Sequence, residues 1–223
     1  HQQAEEVLDE LRHIRERHEK RSKLRFIYCG SIGMNLVINN LVKEFKYAGA
    51  PLNNMYHYIV KEMNIEDATL LIKHLIEKHK VNLNDDLFEY LAKACSCLPF
   101  FIDRIFTQLK LSFNETSVTR AGIDRIVDDF ISGRENNNQF NHFTERIDAY
   151  YNKEEKRIAH ELLRNLCKSN ELMTSETLLN LVKTKIVAEL FDDMYVDRII
   201  TDESIGYQFR FILLKKWWKL NFS

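Results

Sequence analysis

The chain has 223 residues, of which 45% are hydrophobic and 29% charged, with a formal net charge of -1. That balance is ordinary for a folded domain, and nothing in it points to nucleic acid, an anionic membrane surface or an acidic substrate. Six Gly and two Pro leave few tight turns, so long helices joined by short polar loops are expected, in two lobes.

From Ala4 onward, Val7, Leu8, Leu11 and Ile14 fall on one stripe of a helix whose other face is Glu, Asp and Arg. The polar run from Arg15 to Lys23 predicts that the helix end leaves the core and turns. Leu24 to Cys29, LRFIYC, reads as a short strand covered on both faces, running into the turn Gly30-Ser31 and then a helix. A phosphate can sit at such a place in an α/β protein. The full loop GxxxxGK[ST] is not completed, because Gly30 and Gly33 are followed by no Lys where one is needed.

After Pro51, MYHYIVKEMN reads as a short strand or an extended connector. Asn64 is placed to cap a helix IEDATLLIKHLIEKHK, with Glu66 and Asp67 suiting its dipole. DDLFEYLAKAC comes after it, opened by Asn84 or Asp85. Next comes LPFFIDRIFTQLK, with Pro99 in its first turn, and then VTRAGIDRIVDDFI, opened by Thr119 and closed by a left-handed Gly133. Ser132 to His142, SGRENNNQFNH, reads as the linker between lobes. Beyond it, YNKEEKRIAHELLRNLCKS, MTSETLLNLVKTK (capped by Thr174 or Ser175) and VAELFDDMYVDRII read as helices. The polar turn DESIG then stands between IIT and an aromatic strand YQFRFILL. Three helices and then a β-hairpin is the order of a winged helix-turn-helix.

Cys29, Cys95, Cys97 and Cys167 lack the paired spacing of a zinc site or a disulfide framework and read as reduced thiols of a cytoplasmic protein. No apolar run of about 18 residues, signal peptide or lipidation motif is present, so no membrane attachment is expected. The eight His are scattered, and His74 and His79, five apart, do not share a helix face. No metal site or catalytic residue is assigned.

Several stretches taken in order resemble the carboxy-terminal half of a STAND-type P-loop ATPase of the AAA+ group, of the prokaryotic and archaeal ATPase-domain kind. They are LDELRHIRER, RFIYCGSIGM, NIEDATLLIKHLI, CLPFFIDRIF and YQFRFILLKKWW. The resemblance covers nearly the whole chain and implies a mainly α fold: a remnant of a P-loop α/β core over 1–52, a helical lid bundle over 53–133, a linker over 134–142 and a winged helix over 143–223. It implies a nucleotide-sensing role for Gly30 and Ser31 and a place beside the nucleotide for Leu98 and Pro99, with Cys97 standing where the family has Gly.

Walker A and Walker B are absent from this sequence and would precede His1 in that family; the chain also begins His1-Gln2-Gln3 without Met. It therefore reads as part of a signalling ATPase in which the lid moves on nucleotide exchange and the winged helix locks or releases it. ATP or ADP with Mg²⁺ is expected for an intact parent, and no cofactor or hydrolysis for this chain alone. The expected partner is a protein, or the ATPase core itself, and association into oligomers is compatible with exposed faces on a core without its sheet. DNA, bound by the winged helix of an adaptor, is the alternative partner, and a purely structural protein-interaction module is the remaining reading. From Phe143 to Ser223 there are thirteen Lys and Arg against thirteen Asp and Glu, and the helix placed to read DNA carries Glu189, Asp192, Asp193 and Asp197 against Arg198, which disfavours phosphate contact. Lys215, Lys216, Trp217 and Trp218 are the candidate contacts for nucleic acid or a partner.

Overall fold

A computed structural model describes residues 2–19, 26–28, 33–56, 58, 60–113, 116–133, 137–169, 171–181, 186–188, 190, 195–200 and 205–222. The protein is mainly helical and divides into two compact units, His1–Ile59 and Val60–Ser223.

The first unit contains α1 (Gln2–Glu19) and α2 (Gly33–Phe45). Arg15 does not leave the core as its polar neighbourhood suggests. It is buried, at 9% exposure, because its guanidinium donates to the main-chain oxygens of Pro51 (2.8 Å) and Asn53. The planar fork of Arg suits two acceptors at once. Tyr47 makes a second tie across the unit: its hydroxyl donates to Asp9 Oδ1 at 2.7 Å, and burial together with that bond pushes the phenol up to about 12. The Tyr47 ring lies against Gly49, where a Cβ would come within 2.2 Å of it.

The strand expected over Leu24 to Cys29 is not found in its described part. Phe26, Ile27 and Tyr28 pair with no strand, and Ile27 is 84% exposed rather than covered on both faces. A ladder needs a partner, and none is present for it among the described residues.

The second unit opens with a bundle. Its helices are α3 (Ile65–His79), α4 (Phe88–Ala94), led in by a 3₁₀ turn at Asp85–Leu87, α5 (Pro99–Ser112) and α6 (Arg120–Ser132). Local chemistry starts three of them as expected. Asn64 accepts from the Asp67 N–H at 2.7 Å, Pro99 occupies the first position of α5, and Thr119 accepts from the Gly122 N–H at 3.1 Å. Gly133 is not left-handed: its φ is -67°, and the chain leaves α6 in extended form while the Gly133 N–H still reaches Asp129. Apolar stripes from the four helices, including Ile72, Leu91, Ile105 and Ile123, meet in a shared core.

Of the linker expected over 134–142, residues 134–136 lie outside the described residues and the rest is helical. The stretch 137–142 is the start of α7 (Asn137–Tyr150), whose Phe140, Phe143 and Ile147 are buried in that core. The Phe140 ring stacks on Phe101 of α5 (5.4 Å between centroids, 13° between planes), which outweighs the polar composition of the neighbouring asparagines.

Next comes α8 (Lys153–Lys168), opened by a capping box. Asn152 accepts from the N–H groups of Glu154 and Glu155, and the Glu155 carboxylate accepts from the Asn152 N–H, each at 3.0 Å. The short β1 (Met173–Thr174) leads to α9 (Ser175–Leu181), with a weak cap from Thr174 at 3.4 Å to the Thr177 N–H. The helix expected through VAELFDDMYVDRII stops short: Val196–Ile200 is a strand, β2, paired antiparallel with β3 (Ile205–Phe209). Asp197 and Arg198 therefore sit on a strand, Arg198 opposite Tyr207. Among the described residues, three strands lie in the order β1-β3-β2.

The aromatic strand expected through YQFRFILL ends at Phe209. Ile212–Phe222 is a helix, α10, because Leu213, Leu214, Trp217 and Trp218 fall at i, i+1, i+4 and i+5 and bury one face.

Candidate functional site

Of the residues singled out by sequence, Gly30 and Ser31 lie outside the described residues. Leu98 and Pro99 are described and belong to the turn that joins α4 to α5. The end of α4 has the hydrogen bonds of a Schellman motif: the Ser96 N–H reaches Lys93 O (2.9 Å) and the Cys97 N–H reaches Ala92 O (2.8 Å). The position that usually holds Gly in this motif is Ser96, at φ 55°, and Cys97 comes next at φ 51°. Two successive L-residues in the left-handed region cost about 1–2 kcal/mol each, so this turn stores backbone strain. Leu98 then returns to extended geometry (φ -94°, ψ 119°), as a residue before proline must.

The turn is fastened on two sides. Cys97 O accepts from the Met63 N–H at 3.1 Å, tying it to the segment that leads into α3. Ser96 Oγ accepts from the Leu213 N–H at 3.5 Å, a long contact at the first turn of α10. Burial pushes Cys95 far above the usual thiol range and raises Cys97 as well, whereas reactive cysteines are held as thiolates by nearby positive charge.

Replacing Cys97 with Gly is expected to raise stability by about 0.5–1 kcal/mol, the relief of left-handed strain exceeding the entropy that Gly adds to the unfolded chain. Urea unfolding of the single variant measures this, and a loss of stability would show that the Cys97 side chain holds the turn by packing.

A cleft of ≈ 550 Å³ opens where α4, α6 and α10 meet, lined by Tyr90, Lys93, Arg120, Asp124 and Lys216 among others. Several of its side chains are engaged with one another. The Tyr90 hydroxyl donates to Asp124, the Arg120 guanidinium lies 4.1 Å from the centre of the Tyr90 ring, and Lys93 pairs with Glu89. Neither Leu98 nor Pro99 lines this cleft. Among the described residues, no group of three or more His, Cys, Asp or Glu is placed to hold a metal ion, and no helix is long and apolar enough to cross a membrane.

The four candidate contacts on α10 divide sharply. Trp217 and Trp218 are 1% and 0% exposed, so neither indole can stack on a base or meet a partner, and that role is corrected to core packing. Trp217 stacks on Phe140 (5.4 Å, 15°), while Trp218 lies among His160, Tyr195, Phe209 and Phe222. Lys215 donates from Nζ to Ser169 O at 2.7 Å. Lys216, whose side chain is 45% exposed, pairs with Asp128 of α6 at 3.2 Å.

Sequence reasoning missed the left-handed pair at Ser96 and Cys97, since neither residue type announces that conformation. It also missed α7 and α10 as helices, although Phe140, Phe143 and Ile147 stand at i, i+3 and i+7. No family model, curated protein or solved structure matches this chain.

Proposed function

We propose that the chain is the lid and carboxy-terminal interaction module of a STAND-type nucleotide switch, with α3 to α6 as lid and residues 143–223 as a winged helix. The observation that carries the reading is the turn Cys95–Pro99. The family to which the sequence bears a resemblance has Gly where Cys97 stands, and Cys97 takes the backbone conformation for which Gly is the natural residue. Strain retained at such a place is a mark of a working site. The order helix, short strand, helix, hairpin with sheet order β1-β3-β2 supports the winged-helix part.

In this reading the module contacts a protein. Its charge balance is even, and with the indoles buried it keeps no aromatic platform on α10 for bases. The phosphate-binding Lys and metal-binding carboxylate, absent from this sequence, come from a P-loop core. ATP with Mg²⁺ supplies the energy of exchange when bound there; the part of this chain is to close over the adenine at Leu98 and Pro99.

Residues 1–223 alone are expected to release no phosphate from ATP and Mg²⁺ above a mock preparation. An adenine-linked photoprobe offered to the protein joined to its P-loop core is expected to label 97–99. Hydrolysis by the isolated chain, or labelling that avoids this turn, would overturn the reading. A gel-shift series across salt is expected to show no saturable DNA binding at low salt; a steep salt slope would replace the protein partner with DNA.

A further inference from the structure

We infer that the described residues of the Val60–Ser223 unit act as one stiff arm, in which the Cys95–Pro99 turn is fastened to α10 and the bundle shares one core with the carboxy-terminal module. The fastening stands on contacts within the structure; its use in switching rests on the lid reading proposed above. In place of a module that swings to lock or release a lid, the module travels with the lid.

Three connections carry the inference. The first is an aromatic column: Phe101, in the first turn of α5 directly after the candidate turn, stacks on Phe140 of α7, which stacks on Trp217 of α10, with centroid spacings of 5.4 Å and 5.4 Å. All three side chains are buried, and close-packed interiors transmit displacement instead of absorbing it. The second is the Ser96 Oγ contact with the Leu213 N–H, which joins residues 117 apart in sequence. The third is the Lys216–Asp128 pair between α10 and α6; being exposed, it adds register more than energy. The core residues on both sides belong to one continuous cluster.

The chain has two tryptophans, and both lie in α10. Their emission therefore reports the module, while hydrogen exchange of α3 to α6 amides reports the bundle. In urea, with no nucleotide present, the two signals of the full chain are expected to share one midpoint.

Leu178→Ala supplies the perturbation. Leu178 is buried in α9, which packs on α8, β1 and β3. The substitution is expected to move the bundle amides by the same urea increment as the tryptophan signal. Adding Phe140→Ala is expected to shrink that response in the bundle. Separate midpoints in the unsubstituted chain, or a Leu178→Ala shift confined to the tryptophans, would overturn the inference; if the variant does not fold, the unsubstituted chain decides. Since nucleotide is absent throughout, failure to bind adenine would remove the lid reading and leave this result standing.

Discussion

Trp217→Ala is expected to lower the stability of the Val60–Ser223 unit by about 3–5 kcal/mol, the usual cost of deleting a large aromatic side chain from a packed core. Trp217 is 1% exposed and meets Phe140, Trp218 and Phe222 at centroid distances of 5.4, 5.8 and 5.6 Å. Those partners come from α7 and α10, so the space left behind cannot close without moving a helix. Domain stabilities are only about 5–15 kcal/mol, so the variant should sit at the margin of folding at room temperature. Trp217→Phe keeps a ring in the stack and is expected to lose much less, roughly 1–2 kcal/mol. Urea unfolding followed by Trp218 emission and by circular dichroism measures both. A cost under about 1 kcal/mol for the Ala variant would mean that α10 does not complete this core.

The second large effect belongs to the first unit. Arg15→Ala is expected to destabilise His1–Ile59 by about 2–3 kcal/mol, because two main-chain oxygens lose a charged donor at once. One of them belongs to buried Pro51. Arg15→Lys should recover less than half of the loss, since an ammonium on a flexible stem cannot present the two-pronged geometry that reaches both Pro51 and Asn53. Amide exchange in α1 and α2 reads the effect without interference from the other unit. Equal protection in the Lys and Arg proteins would show that charge alone matters.

What could be seen in the sequence was whatever a side chain decides within one turn of itself. Asn64, Pro99 and Thr119 start their helices by direct bonds or by a missing N–H, and each does so in the structure. What escaped depends on partners far along the chain. The run of asparagines before Gln139 looks like a loop, and only the Phe101 and Trp217 rings make a core position of Phe140. Likewise, YQFRF runs into ILLKKWW with no Gly or Pro to mark a break, so the strand was carried past Phe209 although the spacing of Leu213, Leu214, Trp217 and Trp218 is helical. Arg15 looked like solvent-facing charge because its acceptors are carbonyls of a turn more than thirty residues away, and carbonyls have no residue letter. At the candidate turn, Leu98 and Pro99 were visible as residues, while the left-handed backbone of Ser96 and Cys97 was not. Ser31, the other half of the sensing expectation, falls outside the described residues.

The position of α10 also orders events during synthesis. It comes after every other described element of its unit in the chain, yet it supplies the ring that covers Phe140 and the N–H that meets Ser96. A ribosome adding about 5–20 residues per second makes α3 to α9 before their closing piece exists. Over those seconds Phe101 and Phe140 have no Trp217 to meet, and the nascent bundle presents an uncovered aromatic face. Chaperone occupancy should therefore peak on chains halted just before Ile212 and fall once Phe222 has cleared the exit tunnel.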